Sequence, residues 1–407
     1  MTATALNQIA LFDNAAASAA RPLAAPSAEG VHADADASFD ATGFEIGWDY
    51  ARQRLVPPAE HLLAGHPVRQ GWQAGRLTFG LRTGRPTRFV RRWLRLRLDC
   101  WLRGRVFEDV MVTPRFLAQI DVPRCPVTRE LLSAGEDGGG DAVVLALFDG
   151  AAVAAGNLAV VSRRVAAARG ACSAAQAWGL ARRIEAGEMT LVAGLDAAMW
   201  RRLATLISLA TPTAHAQCAS LPLLVLPPNR ARLVNPVQGL QALLTLLFTG
   251  SAYARRMAEI GALMPDADSR RHYFLFMNVM LARRLAVGWQ AERDAVRDTL
   301  ADAWAHPIVQ RRWEQLALRL KRADCERVVR LATQRGLAGG GMRWLGDAQA
   351  SDGWAIETQG QVLPAGAQAA RRLVSATTSA VTAEVSAAVT AAHSMAHPAA
   401  PSAALKA

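Results

Sequence analysis

Cysteine is scarce in this chain of 407 residues, and its five cysteines are scattered. No two of them lie within four residues of each other, which excludes a zinc ribbon or a redox pair. An odd number of widely spaced cysteines is typical of reduced thiols, so we expect a cytoplasmic protein. The five are Cys100, Cys125, Cys172, Cys218 and Cys325.

Long hydrophobic runs and cofactor motifs are also missing. The most apolar segment, Leu233–Thr249, is interrupted by one proline and three polar residues, and it falls short of the roughly 20 residues that a membrane span needs. We expect it to be a buried helix. Residues 1–20 lack the basic start of a signal peptide. The chain has no phosphate-binding glycine loop, no HExxH and no GxSxG, so neither a membrane partner nor a cofactor is expected.

Lysine is almost absent, although the charge is strongly basic. Lys and Arg together number 46 against 34 acidic residues, a net charge of +12, and only Lys321 and Lys406 are lysines. Alanine makes up about a fifth of the chain. This bias is as typical of a GC-rich genome as of selection for guanidinium chemistry. DNA, RNA and protein therefore all remain possible partners.

Composition divides the chain into five segments. Both ends, 1–42 and 346–407, are rich in alanine and serine and poor in bulky residues, so we predict disordered tails. Between them we expect a mainly α, multi-helical fold with a small α/β module in the N-terminal half. The ordered segments are an Arg-rich helical segment at 43–105, the α/β module at 106–172 and a helical domain at 173–345.

Apolar periodicity and capping residues predict the individual helices. The strongest pattern is that of Pro86–Arg103, whose aromatic and aliphatic residues recur at helical spacing. Gly71–Gly84 contains four glycines and is expected to be a turn or an interrupted helix, and Leu221–Leu226 to be extended. Further helices are predicted at Leu158–Ala168, Ser173–Ala186, Leu195–Ala210, Val237–Phe248, Ala252–Leu263, Asp268–Val287, Ala291–Ala303 and Pro307–Arg335.

The most specific motif runs from Cys125-Pro-Val-Thr128 through a glycine-rich loop to Gly156-Asn-Leu158 and on to Arg169. It resembles the HNH (ββα-metal) endonuclease family. In that family a Cys-Pro-x-Thr turn precedes a strand with a catalytic histidine and an acidic metal ligand, and Gly-Asn leads into a helix. The resemblance covers about 45 residues and implies a ββα module associated with nucleic acid. The matching positions are Cys125, Pro126, Thr128, Gly156, Asn157, Leu158, Ser162 and Arg169.

The residues that carry the family's chemistry are not found in this chain. Hydrolysis needs a general base and ligands for a divalent cation, but no histidine falls between 67 and 214. Apolar Val143–Leu147 stands in their place, and the flanking Asp141 and Asp149 would each hold a hard metal weakly. We therefore expect a degenerate module without catalytic residues or metal ligands, in which Asn157 shapes a turn.

Basic density is highest between Arg82 and Arg105, where nine arginines accompany one acidic residue, Asp99. Guanidinium groups along one helix face can contact successive phosphates, and interleaved aromatic residues can stack on bases. The structural alternative is a solvated arginine face over an aromatic core. The candidate nucleic-acid-binding residues are Arg88, Arg91, Arg92, Arg95, Arg163, Arg164 and Arg169.

Three functions remain open from the sequence. We favour a non-catalytic, HNH-like protein that binds DNA or RNA phosphates through the Arg-rich helix. The alternative is a helical protein-interaction scaffold whose positive charge is only compositional. The third is a divergent metal-dependent nuclease whose base comes from elsewhere, such as His61 or His66. Salt-dependent binding distinguishes the first from the second, and metal-dependent cleavage distinguishes the third from both.

Overall fold

The computed structural model describes residues 28–80, 86–133, 140–250, 252–288, 290–338, 342–343 and 354–356. Within these ranges the protein is mainly helical, as predicted. The helices are α1 (Ala28–Arg52), α2 (Pro67–Phe79), α3 (Arg88–Leu102), α4 (Pro114–Ile120), α5 (Arg163–Arg169), α6 (Ala174–Glu185), α7 (Ala197–Ala210), α8 (His215–Ser220), α9 (Pro236–Leu246), α10 (Tyr253–Gly261), α11 (Ala267–Ala286), α12 (Arg293–Ala303), α13 (Pro307–Ala317) and α14 (Arg322–Gln334). The strands are β1 (Ala142–Ala146), β2 (Leu158–Ser162), β3 (Arg232–Leu233), β4 (Met342–Arg343) and β5 (Trp354–Ile356).

Both predicted tail boundaries need correction. Helix α1 begins at Ala28, inside the predicted tail 1–42. The ring of Phe39 stacks on Trp101 with centroids 4.5 Å apart, and the Trp101 indole N–H donates to the Phe39 carbonyl oxygen at 2.8 Å. At the other end, β5 pairs with β3 and β4 in a three-stranded sheet, although it lies in the predicted tail 346–407. The rest of both predicted tails lies outside the described residues.

Helices α1 and α2 pack against each other through glycine. A Cβ atom on Gly47 would lie 2.8 Å from the backbone nitrogen of Trp72, and one on Gly71 would lie 2.9 Å from the Cα of Phe44. The two helix backbones therefore touch only because these positions have no side chain. The expectation of a turn or interrupted helix at Gly71–Gly84 is wrong as far as Phe79, because α2 is continuous to that residue.

Helix α3 is confirmed, and it packs against two different cores. Phe89 and Cys100 belong to a cluster with α4 and the β1–β2 hairpin. Leu94 and Leu98 belong to a second cluster with α1 and α2, and Trp93 contributes to both. The remaining face of α3 carries arginines. Because two sides of the helix are covered, this third face is the more exposed one, with Arg95 exposed and Arg88, Arg91 and Arg92 half-buried.

The β1–β2 hairpin joins the predicted α/β module to the helical domain. The strands are antiparallel, and every residue of β2 is buried. Leu158 and Val160 face the α3–α4 cluster, whereas Ala159 and Val161 face the large helical core, as the alternation of a strand requires. One continuous core therefore extends across the predicted boundary between residues 172 and 173.

Two predicted helices are divided in the structure. Leu158–Ala168 is a strand as far as Ser162, whose hydroxyl accepts a hydrogen bond from the Val165 N–H at 3.3 Å and caps α5. Pro307–Arg335 consists of α13 and α14, separated by a break in which the Asp324 carboxylate accepts from the Lys321 N–H at 2.9 Å. The other predicted helices are confirmed to within three residues at each end.

Helix α9 lies at the centre of the helical core, with every residue buried, as predicted for Leu233–Thr249. Its polar side chains are hydrogen-bonded inside the core: Gln238 donates to the Ser208 hydroxyl at 2.9 Å, and Gln241 donates to the Leu221 carbonyl at 2.7 Å. These bonds explain how polar residues interrupt a buried apolar run. Among the described residues, no helix is both long and apolar enough to cross a membrane.

Candidate functional site

Residues of the HNH-like motif lie close together in the structure. Cys125 opens a tight turn in which the Arg129 N–H donates to the Cys125 carbonyl oxygen at 2.8 Å. The buried Cys125 Sγ accepts from the Ser162 N–H at 3.3 Å and so connects the turn to the end of β2. The Thr128 hydroxyl accepts from the Glu130 N–H at 3.3 Å. Strands β1 and β2 and helix α5 follow this turn in the chain. Membership of the family remains a prediction.

Asn157 closes the loop that connects β1 to β2. The residue is 3 % exposed, and its side chain makes three hydrogen bonds. The carboxamide oxygen accepts from the Phe148 N–H, and the amide nitrogen donates to the carbonyl oxygens of Phe148 and Ala152, each at 2.9 Å. Gly156 before it has φ 93°, a conformation that favours glycine. This geometry supports the turn-shaping role for Asn157, although a strand and not a helix follows the turn.

At the positions where the resemblance would place a base and a metal ligand, one side chain is packed in the core and the acidic residues have protein partners. Leu147, at the end of β1, is fully buried. Asp149 accepts from Arg169 in a close ion pair. The Asp141 carboxylate accepts from the Arg163 N–H at 2.9 Å, ahead of α5. Across the described ranges, no group of three or more histidine, cysteine or acidic residues is arranged to hold a metal ion.

The two histidines considered for a divergent nuclease lie beside α1 and α2. The rings of His61 and His66 are 5.2 Å apart, and His66 packs edge-on against Trp101. The His66 Nδ1 accepts from the Val68 N–H at 3.3 Å, which caps α2, and burial together with the neighbouring His61 lowers the pKa of His66. Trp101 faces a different core from the hairpin, so these histidines are not placed to serve the ββα unit.

The predicted arginine face of α3 is present, but part of it is ion-paired. Arg88, Arg91, Arg92 and Arg95 recur at i, i+3, i+4 and i+7, which places them on one helix face. Arg88 and Arg92 both donate to Asp121, at 2.7 and 2.8 Å, and that carboxylate side chain is only 16 % exposed. Arg95 is exposed. The expectation of four solvated arginines is therefore corrected: two of them are held in place by Asp121 from the end of α4.

The three candidate arginines of α5 differ in their surroundings. Arg163 is exposed. Arg164 is exposed but ion-paired, because one of its guanidinium nitrogens donates to both carboxylate oxygens of Glu130, at 2.8 and 2.9 Å. Arg169 is 5 % exposed and, beyond its ion pair, donates to the Leu147 carbonyl oxygen at 3.2 Å. This burial contradicts the predicted phosphate-binding role of Arg169, because its guanidinium is used to hold the hairpin.

Sequence reasoning missed a cavity of about 160 Å³ beside the motif turn. Its walls come from the turn at Cys125 and Pro126, the extended segment 224–229 and α12, with Arg297 among the lining residues. Arg297 falls in the predicted helix Ala291–Ala303, where it looks like any surface arginine. No local signal could reveal the cavity, because residues more than a hundred positions apart form its walls.

The chain matches no family model, and comparisons with curated proteins and with solved structures found no match.

Proposed function

We propose that this is a non-catalytic protein that binds DNA or RNA phosphates through the arginine face of α3, defined as Arg88, Arg91, Arg92 and Arg95. The observation that carries the proposal is the arrangement of four guanidinium groups on one face of a 15-residue helix. On that face Arg95 is exposed, and the side chains of Arg88 and Arg92 are 38 % and 12 % exposed. The ion pairs to Asp121 involve only one carboxylate, so the face keeps a net positive charge.

The dimensions of this face suit a polyanion. Arg88 and Arg95 are seven residues apart, a distance of about 10 Å along a helix axis, which spans more than one phosphate of a nucleic-acid strand. Asp121 reduces the freedom of Arg88 and Arg92 but also takes up part of their hydrogen-bonding capacity, so phosphates would contact these two arginines beside Asp121. The Phe89 ring lies under the Arg88 guanidinium at 4.7 Å and stiffens that side chain further.

In this proposal the HNH-like module holds α3 in place. It has no catalytic role. The hairpin and α4 pack against the Phe89 and Cys100 side of α3, so they fix the direction in which the arginines point. The five free cysteines support a reducing compartment, and the cytoplasm is the proposed location. A protein-interaction scaffold remains the competing function, and the following experiment distinguishes the two.

Replacing Arg91 and Arg95 together by glutamine is expected to weaken nucleic-acid binding and its salt dependence. If each arginine neutralises one phosphate, the slope of log K against log salt should fall in magnitude by about 0.7–0.9 per arginine. Fluorescence anisotropy with a labelled 20-mer, in duplex and single-stranded form, between about 50 and 300 mM salt measures this slope. The double lysine variant should keep most of the slope but lose any stacking on bases.

The matched control removes the same charge from another helix. Arg322 and Arg330 are both exposed on α14, and their replacement by glutamine should leave the slope within about 0.3 of the wild-type value. If the wild type retains neither DNA nor RNA at about 50 mM salt, the arginine face is a solvated surface and the scaffold function takes its place. Equal slopes for the α3 and α14 variants would show that the charge acts non-specifically.

The protein is also expected to lack divalent-metal nuclease activity, because Leu147 and the ion-paired Asp149 stand where a base and a ligand belong. Supercoiled plasmid incubated with the purified chain and Mg²⁺ or Mn²⁺ should remain intact. Nicking that EDTA suppresses, and that is lost in the Asp141→Asn, Asp149→Asn double variant, would overturn the non-catalytic part of the proposal. The double variant guards against a contaminating nuclease.

A further inference from the structure

The cavity beside the Cys125 turn combines an apolar wall with a charged one. Its apolar lining comes from Ile120 and Val160 and from the extended segment 224–228, which contains Leu224 and Pro227. Its charged lining comes from arginines and aspartates of the turn and of α12. Most of its volume therefore suits an apolar group, with charged groups concentrated on one side.

Two of the arginines in the cavity wall already have partners. Arg124 and Arg129 bind Asp298, at 3.1 and 3.3 Å. Arg129 also binds Asp302 at 2.6 Å. Burial acts against the charged form of Arg129, but its hydrogen bond to Asp302 and the charges of Asp302 and Asp298 raise its pKa. These ion pairs fix the turn on α12 and leave neither arginine free for a ligand.

Arg297 differs from these two arginines, because it makes no hydrogen bond and no ion pair with any residue of the described ranges. It is half-buried on the cavity wall. Burial lowers the pKa of Arg297, and the charge of Arg293 lowers it further. Asp294 and Asp298 lie near it on the same helix, but Asp298 is already shared by Arg124 and Arg129. The nitrogens of Arg297 remain accessible to solvent, so an anion that enters the cavity can reach their donors.

We propose that this cavity binds a small apolar carboxylate, with the carboxylate on Arg297 and the apolar group against the wall formed by Ile120, Leu224 and Pro227. An anion with two acceptor oxygens matches the planar guanidinium. The volume is close to that of apolar cavities of about 150 Å³ that take up benzene, so a single ring or a short branched chain fits. The site shares no residue with the arginine face of α3, so ligand binding here can be tested independently of nucleic-acid binding.

Benzoate is a suitable probe, with benzyl alcohol and inorganic phosphate as partial analogues. Saturation-transfer NMR on the full chain should show saturable benzoate binding with a Kd of about 1 mM or lower. Benzyl alcohol lacks the charge and phosphate lacks the ring, so each should bind at least ten-fold more weakly. Phosphate binding as tight as benzoate binding would overturn the proposal of an apolar carboxylate, and so would the absence of saturation up to 20 mM benzoate.

Variants on α12 test the role of Arg297. Arg297→Gln should weaken benzoate binding at least ten-fold. Arg293→Gln removes the same charge from an exposed position one turn earlier and should change the Kd by less than about two-fold. Unchanged affinity in Arg297→Gln would overturn the assignment. If that variant failed to fold, the wild-type comparison of benzoate with benzyl alcohol would still decide whether the site recognises a carboxylate.

Discussion

Alanine at Gly47 or at Gly71 is expected to lower the free energy of unfolding by about 3 kcal/mol or more. The added Cβ would lie well inside contact distance of a backbone carbonyl oxygen, that of Val68 in the first case and that of Phe44 in the second. A backbone atom cannot move away by changing rotamer, so α1 and α2 must separate. Their separation exposes Ile46 and Val68, which are fully buried between them. Urea unfolding followed by circular dichroism measures the loss.

Gly179→Ala provides the matched control for these variants. Gly179 lies in α6, and a Cβ there meets no atom within 4 Å. Alanine should therefore raise the free energy of unfolding by about 0.5–1 kcal/mol, because glycine is the more costly residue inside a helix. If Gly47→Ala unfolded at the same urea concentration as the wild type, the two helices could not be in backbone contact.

The glycine contact shows why the sequence predicted the N-terminal region only in part. Gly43 and Gly47, like Gly71 and Gly75, are four residues apart, and this spacing places each pair on one helix face. Glycine also lowers helix propensity, so the same residues favour a turn when no partner helix is known. The partner helix α1 starts inside the segment predicted to be a tail. Gly43 and Gly47 themselves lie in the segment 43–105 that was predicted to be helical, but no local feature of the sequence pairs them with Gly71 and Gly75.

The prediction for β2 was wrong because a strand buried on both faces loses its alternating pattern. Leu158–Ser162 is a short apolar run that continues into the alanines of α5, and periodicity alone does not separate a buried strand from a helix. The paired β-branched residues Val160 and Val161 favour a strand, and Ser162 is a good helix cap. Taken together, these three residues indicate that a strand ends and a helix begins at Ser162, as in the structure.

For the candidate sites too, the sequence predicted the local features but not the long-range ones. The arginine face of α3 depends only on spacing within one helix, so the sequence was sufficient to predict it. The partner Asp121 is about thirty residues away in the chain, and the cavity at Arg297 brings together three distant segments. Such pairings depend on tertiary packing. A single sequence provides no signal for them.

Asn157→Ala is the second substitution expected to be strongly destabilising, by about 3 kcal/mol or more. It leaves the Phe148 N–H and the Ala152 carbonyl oxygen without a partner, and the Phe148 carbonyl oxygen keeps only a 3.4 Å hydrogen bond from the Ala151 N–H. Each buried polar group that loses its hydrogen bond costs roughly 1–3 kcal/mol. The loop from Phe148 to Asn157 should also become accessible to hydrogen exchange, because the carboxamide fastens its two ends. Urea unfolding and amide exchange at the loop measure the two effects.

Asn278→Ala is the matched control, since Asn278 is exposed on α11 and alanine there should change the stability by less than about 0.5 kcal/mol. The comparison also separates a structural role for Asn157 from a role in contacting nucleic acid. If Asn157 has a structural role, its removal lowers the stability of the protein. Nucleic-acid binding by the α3 arginines should then persist at temperatures where the variant remains folded. If Asn157→Ala kept wild-type stability but lost nucleic-acid binding, Asn157 would be a contact residue, and the HNH-like loop would belong to the binding surface.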